Sequence, residues 1–120
     1  MPRGLVVKVT CGAEEPERCN QGFTVAATAV AAGARVSLWL TGEATWFAVP
    51  GRAEGFHLEG AAPLAGLLGS VIAGGQVTVC TQCAGRRGLG PDDLLPGVRL
   101  AGSPSYVEEA LADGVQALVY

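Results

Sequence analysis

Short apolar, β-rich runs alternate with helical segments from one end of the chain to the other. Strands that alternate with helices need crossover connections, which are right-handed and join parallel strands, so this alternation constrains the fold more than any other feature. We predict an α/β fold, a three-layer α/β/α domain with a mainly parallel five-stranded sheet. The predicted strands are 5–10, 35–40, 76–80, 98–101 and 116–119, and the predicted helices are 16–32, 63–73, a short one from 81, and 105–113.

Length and composition predict one domain that spans residues 1–120. A chain of 120 residues is long enough to bury a core, and a hydrophobic content of 49% excludes a disordered protein. The net charge is −3, and the eight Lys and Arg residues form no basic stripe. We therefore expect no binding to nucleic acid.

One apolar stretch, at 22–40, is about as long as a membrane span, but a Gly-Ala-Arg sequence at 33–35 interrupts it. A buried helix followed by a buried strand explains this stretch better, so we expect no membrane association. The apolar run at 5–7 stops at Lys8 and is too short for a secretory signal. We therefore expect a cytoplasmic protein, in which cysteines are thiols and not structural disulfides.

Most of the reactive side chains lie in the segment QVTVCTQCAGRRGL, which begins at Gln76. The strand in this segment ends at Cys80 and a helix follows it, so Cys80 is predicted near the N-cap and Cys83 near the third helical position. Both thiols would face backbone N–H groups that have no partner within the helix. The helix dipole favours a thiolate there, and Arg86 and Arg87 would add positive charge. The segment therefore predicts a site of thiol chemistry.

The aromatic pair Trp46 and Phe47 follows the end of the second predicted strand. Open parallel sheets bind ligands at the carboxyl ends of their strands, where Cys11 also lies, so these three residues mark a candidate pocket. A hydrophobic lid or an oligomer contact is the preferred explanation of the two aromatics, ahead of a role in stacking on a ligand. The single histidine, His57, is predicted on the surface, and no serine has the sequence context of a nucleophile, so we do not expect a hydrolase.

The pattern of a strand that ends in Cys, a short helix and then Arg-Arg-Gly-Leu resembles the DsrE/DsrF-like family of small sulfur-relay proteins, which includes the TusD-type sulfur carriers. The likeness extends along the whole chain, through the alanine-rich first helix and a second strand that ends in Leu-Thr-Gly. In sulfur-transferring members the cysteine that closes the middle strand receives a persulfide sulfur and passes it on, and Cys80 matches that position. Cys83 is not part of the family motif. The resemblance also implies a homo-oligomer, commonly a trimer or hexamer, and a partner protein that donates or accepts sulfur.

Three kinds of chemistry remain open for the cysteines. In a sulfur relay, Cys80 attacks a donor persulfide, and Cys83 either closes on Cys80 as a disulfide and releases the sulfur or tunes the pKa of Cys80. A CxxC pair is also typical of dithiol redox proteins. All four cysteines could share the carboxyl edge of the sheet, with Cys11 and Cys80 as neighbours, but the spacing of Cys11, Cys19, Cys80 and Cys83 is not a recognised zinc pattern. We therefore expect no metal, and we expect Cys11 and Cys19 to be inert buried residues.

Persulfide binding or transfer through Cys80 is the leading hypothesis, and the residues leave open whether the chain is a sulfurtransferase or a sulfur carrier. The alternative from another class is a non-catalytic ligand-binding or assembly module with its crevice near Trp46 and Phe47. The chain contains neither a Walker A sequence nor a GxGxxG motif, so we expect no cofactor.

Overall fold

Five strands form one parallel sheet in the order β4-β3-β2-β1-β5. The structure is a computed structural model that describes residues 3–120. The sheet confirms the predicted parallel α/β fold. The strands are β1 Gly4–Val9, β2 Arg35–Leu40, β3 Gln76–Cys80, β4 Val98–Ala101 and β5 Val115–Val119, and the helices are α1 Pro16–Ala31, α2 Leu64–Gly74, α3 Thr81–Arg86 and α4 Ser103–Ala110. Short 3₁₀ helices occupy Gly42–Ala48, Ala53–Gly55 and Pro91–Asp93.

The main core lies between one face of the sheet and helices α1 and α2. Alternate strand residues such as Val7 and Leu38 point to this side and pack with Phe23 of α1. Burying one side chain of this size contributes about 2–3 kcal/mol. Because many such side chains are buried in this core, it contributes strongly to stability. Helix α1 packs so closely that a Cβ added at Gly22 would lie 2.4 Å from Cγ2 of Val9.

Helix α4 packs on the opposite face of the sheet. Tyr106 meets Trp39 of β2 edge to face, with ring centroids 5.4 Å apart, and Glu109 accepts a hydrogen bond from the hydroxyl of Ser37 at 2.5 Å. Lys8 of β1 stands on the same face, with its ammonium 4.7 Å from the centre of the Tyr106 ring. This face is therefore more polar than the one that α1 and α2 cover.

The start of α4 differs from the sequence prediction. The predicted helix covers residues 105–113, but the helix begins at Ser103, and its N-cap residue is Gly102. Pro104 explains the earlier start, because proline is favoured in the first turn of a helix.

The strand order also corrects one expectation about the cysteines. Cys11 follows β1 and Cys80 closes β3, so both lie at the carboxyl edge of the sheet, but β2 runs between the two strands. The two cysteines are therefore not neighbours. Within residues 3–120, no helix is both long and apolar enough to span a membrane.

Candidate thiol site

Cys80 is the last residue of β3 and the N-cap residue of α3, as the sequence predicts. Its backbone is extended, with φ −63° and ψ 126°, so the chain leaves the strand and turns directly into the helix. The side chain is half-buried, whereas Cys11, Cys19 and Cys83 are buried. All four cysteines are free thiols. Cys80 is therefore the one most open to a reaction partner.

The pKa of Cys80 is lowered from its ordinary value. Partial burial is the largest single influence and raises this pKa, but it is outweighed by the backbone N–H and the thiol of Cys83, by the N–H of Gln82 and by the charge of Lys8. The sulfur makes no capping hydrogen bond of ordinary geometry. The N–H groups of the first helical turn nevertheless lie close enough to favour a thiolate.

Lys8 is the cation that sequence reasoning missed. In the sheet, Lys8 of β1 pairs with Trp39 of β2, and Trp39 pairs with Thr78 of β3. Thr78 and Cys80 are two residues apart on β3, so Lys8 and Cys80 belong to the same face of the sheet, with β2 between their strands. Tyr106 supports the ammonium from the side of α4. The signal in the sequence was a single charge inside an otherwise apolar strand, but only the strand order shows which cysteine it faces.

The two arginines have other contacts. Arg86 is exposed in the last turn of α3, and Arg87 follows it as the C-cap residue. Arg87 pairs with Glu43 at 2.8 Å and donates a hydrogen bond to the carbonyl of Cys83 at 3.1 Å. Among the groups that the structure describes, neither arginine contributes to the lowered pKa of Cys80. A six-residue helix is about 9 Å long, which places both arginines at the end of α3 opposite to Cys80.

Cys83 is held in place by the segment that follows β2. The residue is 8% exposed, and its sulfur accepts a hydrogen bond from the backbone N–H of Gly42 at 3.3 Å. Gly42 has a φ of +52°, and a Cβ there would lie 2.3 Å from the carbonyl oxygen of Thr10. Only glycine can therefore bring this N–H to the Cys83 sulfur.

Cys19 is a buried residue of α1, and both it and Cys11 belong to the main core. Burial raises the pKa of Cys19 to about 12, and the nearby Cys11 and Glu14 add to this shift. Burial also raises the pKa of Cys11, with Glu14 as the next cause. In the described part of the chain, no three His, Cys, Asp or Glu residues come close enough together to hold a metal ion. The four thiols therefore do not form one cluster.

A cavity of about 360 Å³ lies beside Trp46 and Phe47. The guanidinium of Arg52 stacks 4.4 Å from the Trp46 ring, and Phe47 is packed between Phe23 and Phe56. Trp46 thus belongs to the rim of the cavity, while Phe47 belongs mainly to the core. The third member of the predicted pocket, Cys11, is buried in the core cluster.

A larger cavity, of about 530 Å³, lies at the opposite edge of the sheet from Cys80. Its walls come from the amino ends of the strands, including Gly4 and Gln76, and from α4. Beside it, Glu109 accepts hydrogen bonds from Ser37, from the indole N–H of Trp39 and from Arg99, to which it is also ion-paired. This network and its cavity were not predicted.

Cys80 lines neither of the two cavities. A thiol that exchanges one sulfur atom with another protein does not need a cavity, so this position is compatible with such chemistry.

A model of the DsrE/DsrF-like family matches residues 4–119 of the chain. The YchN protein from E. coli has a similar structure, with a TM-score of 0.76 and 17% sequence identity over 98% of this chain and 99% of that one. MTH1491 from Methanobacterium thermoautotrophicum, a protein of unknown function, gives a TM-score of 0.73 and 13% identity over 98% and 99%. At these identities the two structures support the fold alone. No curated protein gives a significant match.

Proposed function

Because this chain belongs to the DsrE/DsrF-like family, which is generally related to sulfur relay, we propose that it carries sulfur as a persulfide on Cys80. One observation carries this proposal: Cys80 combines partial exposure with a lowered pKa, whereas Cys11 and Cys19 are buried with raised pKa values. A thiolate at a helix start is the form in which cysteine attacks another sulfur.

The transfer begins when the Cys80 thiolate attacks the terminal sulfur of a persulfide on a donor. A bond forms between the Cys80 sulfur and that terminal sulfur, the donor's own S–S bond breaks, and the donor leaves as a thiolate. The new persulfide is an anion, so the N–H groups of Gln82 and Cys83 and the ammonium of Lys8 stabilise it as they stabilise the thiolate. An acceptor thiolate then removes the terminal sulfur in the same way.

The partners that this chemistry needs are a protein that donates sulfur and a protein that accepts it. The family acts in sulfur-relay systems that involve partner proteins. We further propose that the chain forms a homo-oligomer, a trimer or hexamer, and works in the cytoplasm, where the thiols stay reduced.

Sulfur loading tests the proposal directly. Reduced protein is incubated with glutathione persulfide, and the intact mass is recorded at early times. We expect the wild type to gain the mass of one sulfur atom and Cys80→Ser to gain none. Cys83→Ser is the matched control, since it removes the other thiol of α3 and should still load. Equal loading of Cys80→Ser and the wild type would contradict the proposal.

The cavity beside Trp46 supports the alternative of a non-catalytic binding module. The rate of alkylation separates the two functions. A module with a structural Cys80 should react with iodoacetamide no faster than an ordinary exposed thiol, whereas a sulfur carrier should react faster at neutral pH because more of its Cys80 is ionised.

A further inference from the structure

We propose that Cys83 is a resolving thiol, which attacks the Cys80 persulfide, forms a Cys80–Cys83 disulfide and releases hydrosulfide. This inference rests on the proposed function, since it starts from Cys80 carrying a persulfide. It adds a second activity to the site: reductive release of the sulfur without an acceptor protein.

The first support is the relative position of the two sulfurs. Cys80 is the N-cap residue of α3 and Cys83 is the third residue of the helix, so their side chains lie on the same side of the first turn. The thiol of Cys83 is near enough to Cys80 to help lower the pKa of Cys80. The two sulfurs therefore lie near each other before any reaction.

The second support is the limited access to Cys83. The residue is buried, with 8% of its surface exposed, which hinders direct transfer of a sulfur to it from a partner protein. The half-buried Cys80, by contrast, lies beside it and is open to donors. Cys83 is therefore better placed to react with the persulfide on Cys80 than with a sulfur on another protein.

The third support is the way the protein orients Cys83. The backbone N–H of Gly42 points at its sulfur, which leaves the thiol hydrogen free to point at Cys80. Glu43, the next residue, pairs with Arg87, and Arg87 donates to the carbonyl of Cys83. Residues 42 and 43 thus hold Cys83 at both its sulfur and its carbonyl. This clamp gives Arg87 a positioning role toward Cys83 in place of the predicted electrostatic role toward Cys80.

The reaction balances in atoms and electrons. The Cys83 sulfur bonds to the Cys80 sulfur, the bond between Cys80 and the terminal sulfur breaks, and the terminal sulfur leaves with that electron pair. The proton of the Cys83 thiol leaves with it, so a persulfide anion and a thiol become a disulfide and HS⁻. The carried sulfur is reduced, and the cysteine pair is oxidised. A small dithiol or a dithiol protein then reduces the disulfide and resets the site.

A single-turnover experiment tests this step. Fully reduced protein, freed of reductant, is mixed with one equivalent of glutathione persulfide, and free sulfide, intact mass and disulfide-linked peptides are followed together. We expect the wild type to release about one sulfide per chain and to end as the Cys80–Cys83 disulfide. In Cys83→Ser, sulfide release should fall at least tenfold and the persulfide should persist.

Thr81→Ala is the matched control, because it changes an exposed residue of the same helical turn and keeps both thiols. It should release sulfide like the wild type. Arg87→Gln should load normally but release sulfide several-fold more slowly, because the clamp on Cys83 is lost.

The outcomes separate this inference from the proposed function. A wild type that gains one sulfur but keeps it, with neither sulfide nor disulfide formed, overturns the resolving role and leaves sulfur carriage intact. A wild type that gains no sulfur and forms no disulfide overturns both. The wild-type readings decide the matter even if Cys83→Ser fails to fold.

Discussion

Lys8 is the positive charge that favours ionisation of Cys80. It reaches the site from β1, across β2, and its ammonium rests against the ring of Tyr106. Local sequence was enough to predict Cys80 at a strand end and a helix start, because strand and helix signals adjoin there. It was not enough to find Lys8, whose role depends on which strands lie side by side.

Replacing Lys8 with methionine should raise the pKa of Cys80, because the thiolate loses a nearby opposite charge. The wild-type pKa is lowered, so ionisation and alkylation begin at lower pH than for an ordinary thiol. In Lys8→Met the profile should move to higher pH, and alkylation near pH 7 should slow by about two- to fivefold. Mass-resolved alkylation of Cys80 at a series of pH values measures this.

Lys8→Arg is the control, since it keeps the charge and the contact with an aromatic ring. Its profile should stay close to that of the wild type. Superimposable profiles for Lys8→Met and the wild type would show that the charge does not act on Cys80.

At the scale of elements, one carboxylate makes all the side-chain hydrogen bonds that the structure shows between α4 and the strands. Glu109 accepts hydrogen bonds from Ser37 and Trp39 of β2 and pairs with Arg99 of β4, which also donates to the hydroxyl of Thr78. A short helix of eight residues would be marginal alone, so these contacts decide where it lies. The existence of α4 could be predicted from its pattern, but its attachment could not, since the partners come from distant strands.

Glu109→Gln should lower the free energy of unfolding by about 2 kcal/mol, because Arg99 loses its ion pair in a half-buried setting. Urea denaturation followed by tryptophan fluorescence measures this, as Trp39 contacts the same carboxylate. The neighbouring Glu108 is exposed, so Glu108→Gln should change the free energy by no more than about 0.5 kcal/mol. Equal effects of the two substitutions would contradict the assigned role of Glu109.

For the molecule as a whole, the predictable part of the fold was its alternation of strands and helices. Each of the five strands has a local apolar pattern, so the parallel sheet could be predicted. The order in which the strands pair could not, because pairing depends on contacts far apart in the chain. That missing order explains why the sequence left open that Cys11 and Cys80 are neighbours and why Lys8 was overlooked.

Strand β5 forms one edge of the sheet, and large apolar side chains are exposed on it and on the adjoining α4. Leu111 is 79% exposed and Val119 is 62% exposed, with Val107 and Leu118 nearby in sequence. An unprotected edge with apolar residues favours association between chains. This surface therefore supports the proposed homo-oligomer.

Light scattering after size-exclusion chromatography should give the mass of a trimer or hexamer for the wild type. Leu111→Glu should lower that mass, because it places a charge in the apolar surface on which association would depend. Gln21→Glu is the control, since it adds a charge at an exposed position of α1 and should leave the mass unchanged. A monomeric wild type at high concentration would exclude this assembly.

The crowded glycine after β2 has one further consequence. Because the amide of Gly42 donates a hydrogen bond to the sulfur of Cys83, its hydrogen exchanges with water when that hydrogen bond opens. The same opening would uncover Cys83 to oxidants and metals from which it is normally shielded. Deuterium uptake at the Gly42 amide therefore measures how often the Cys83 thiol becomes accessible to solvent.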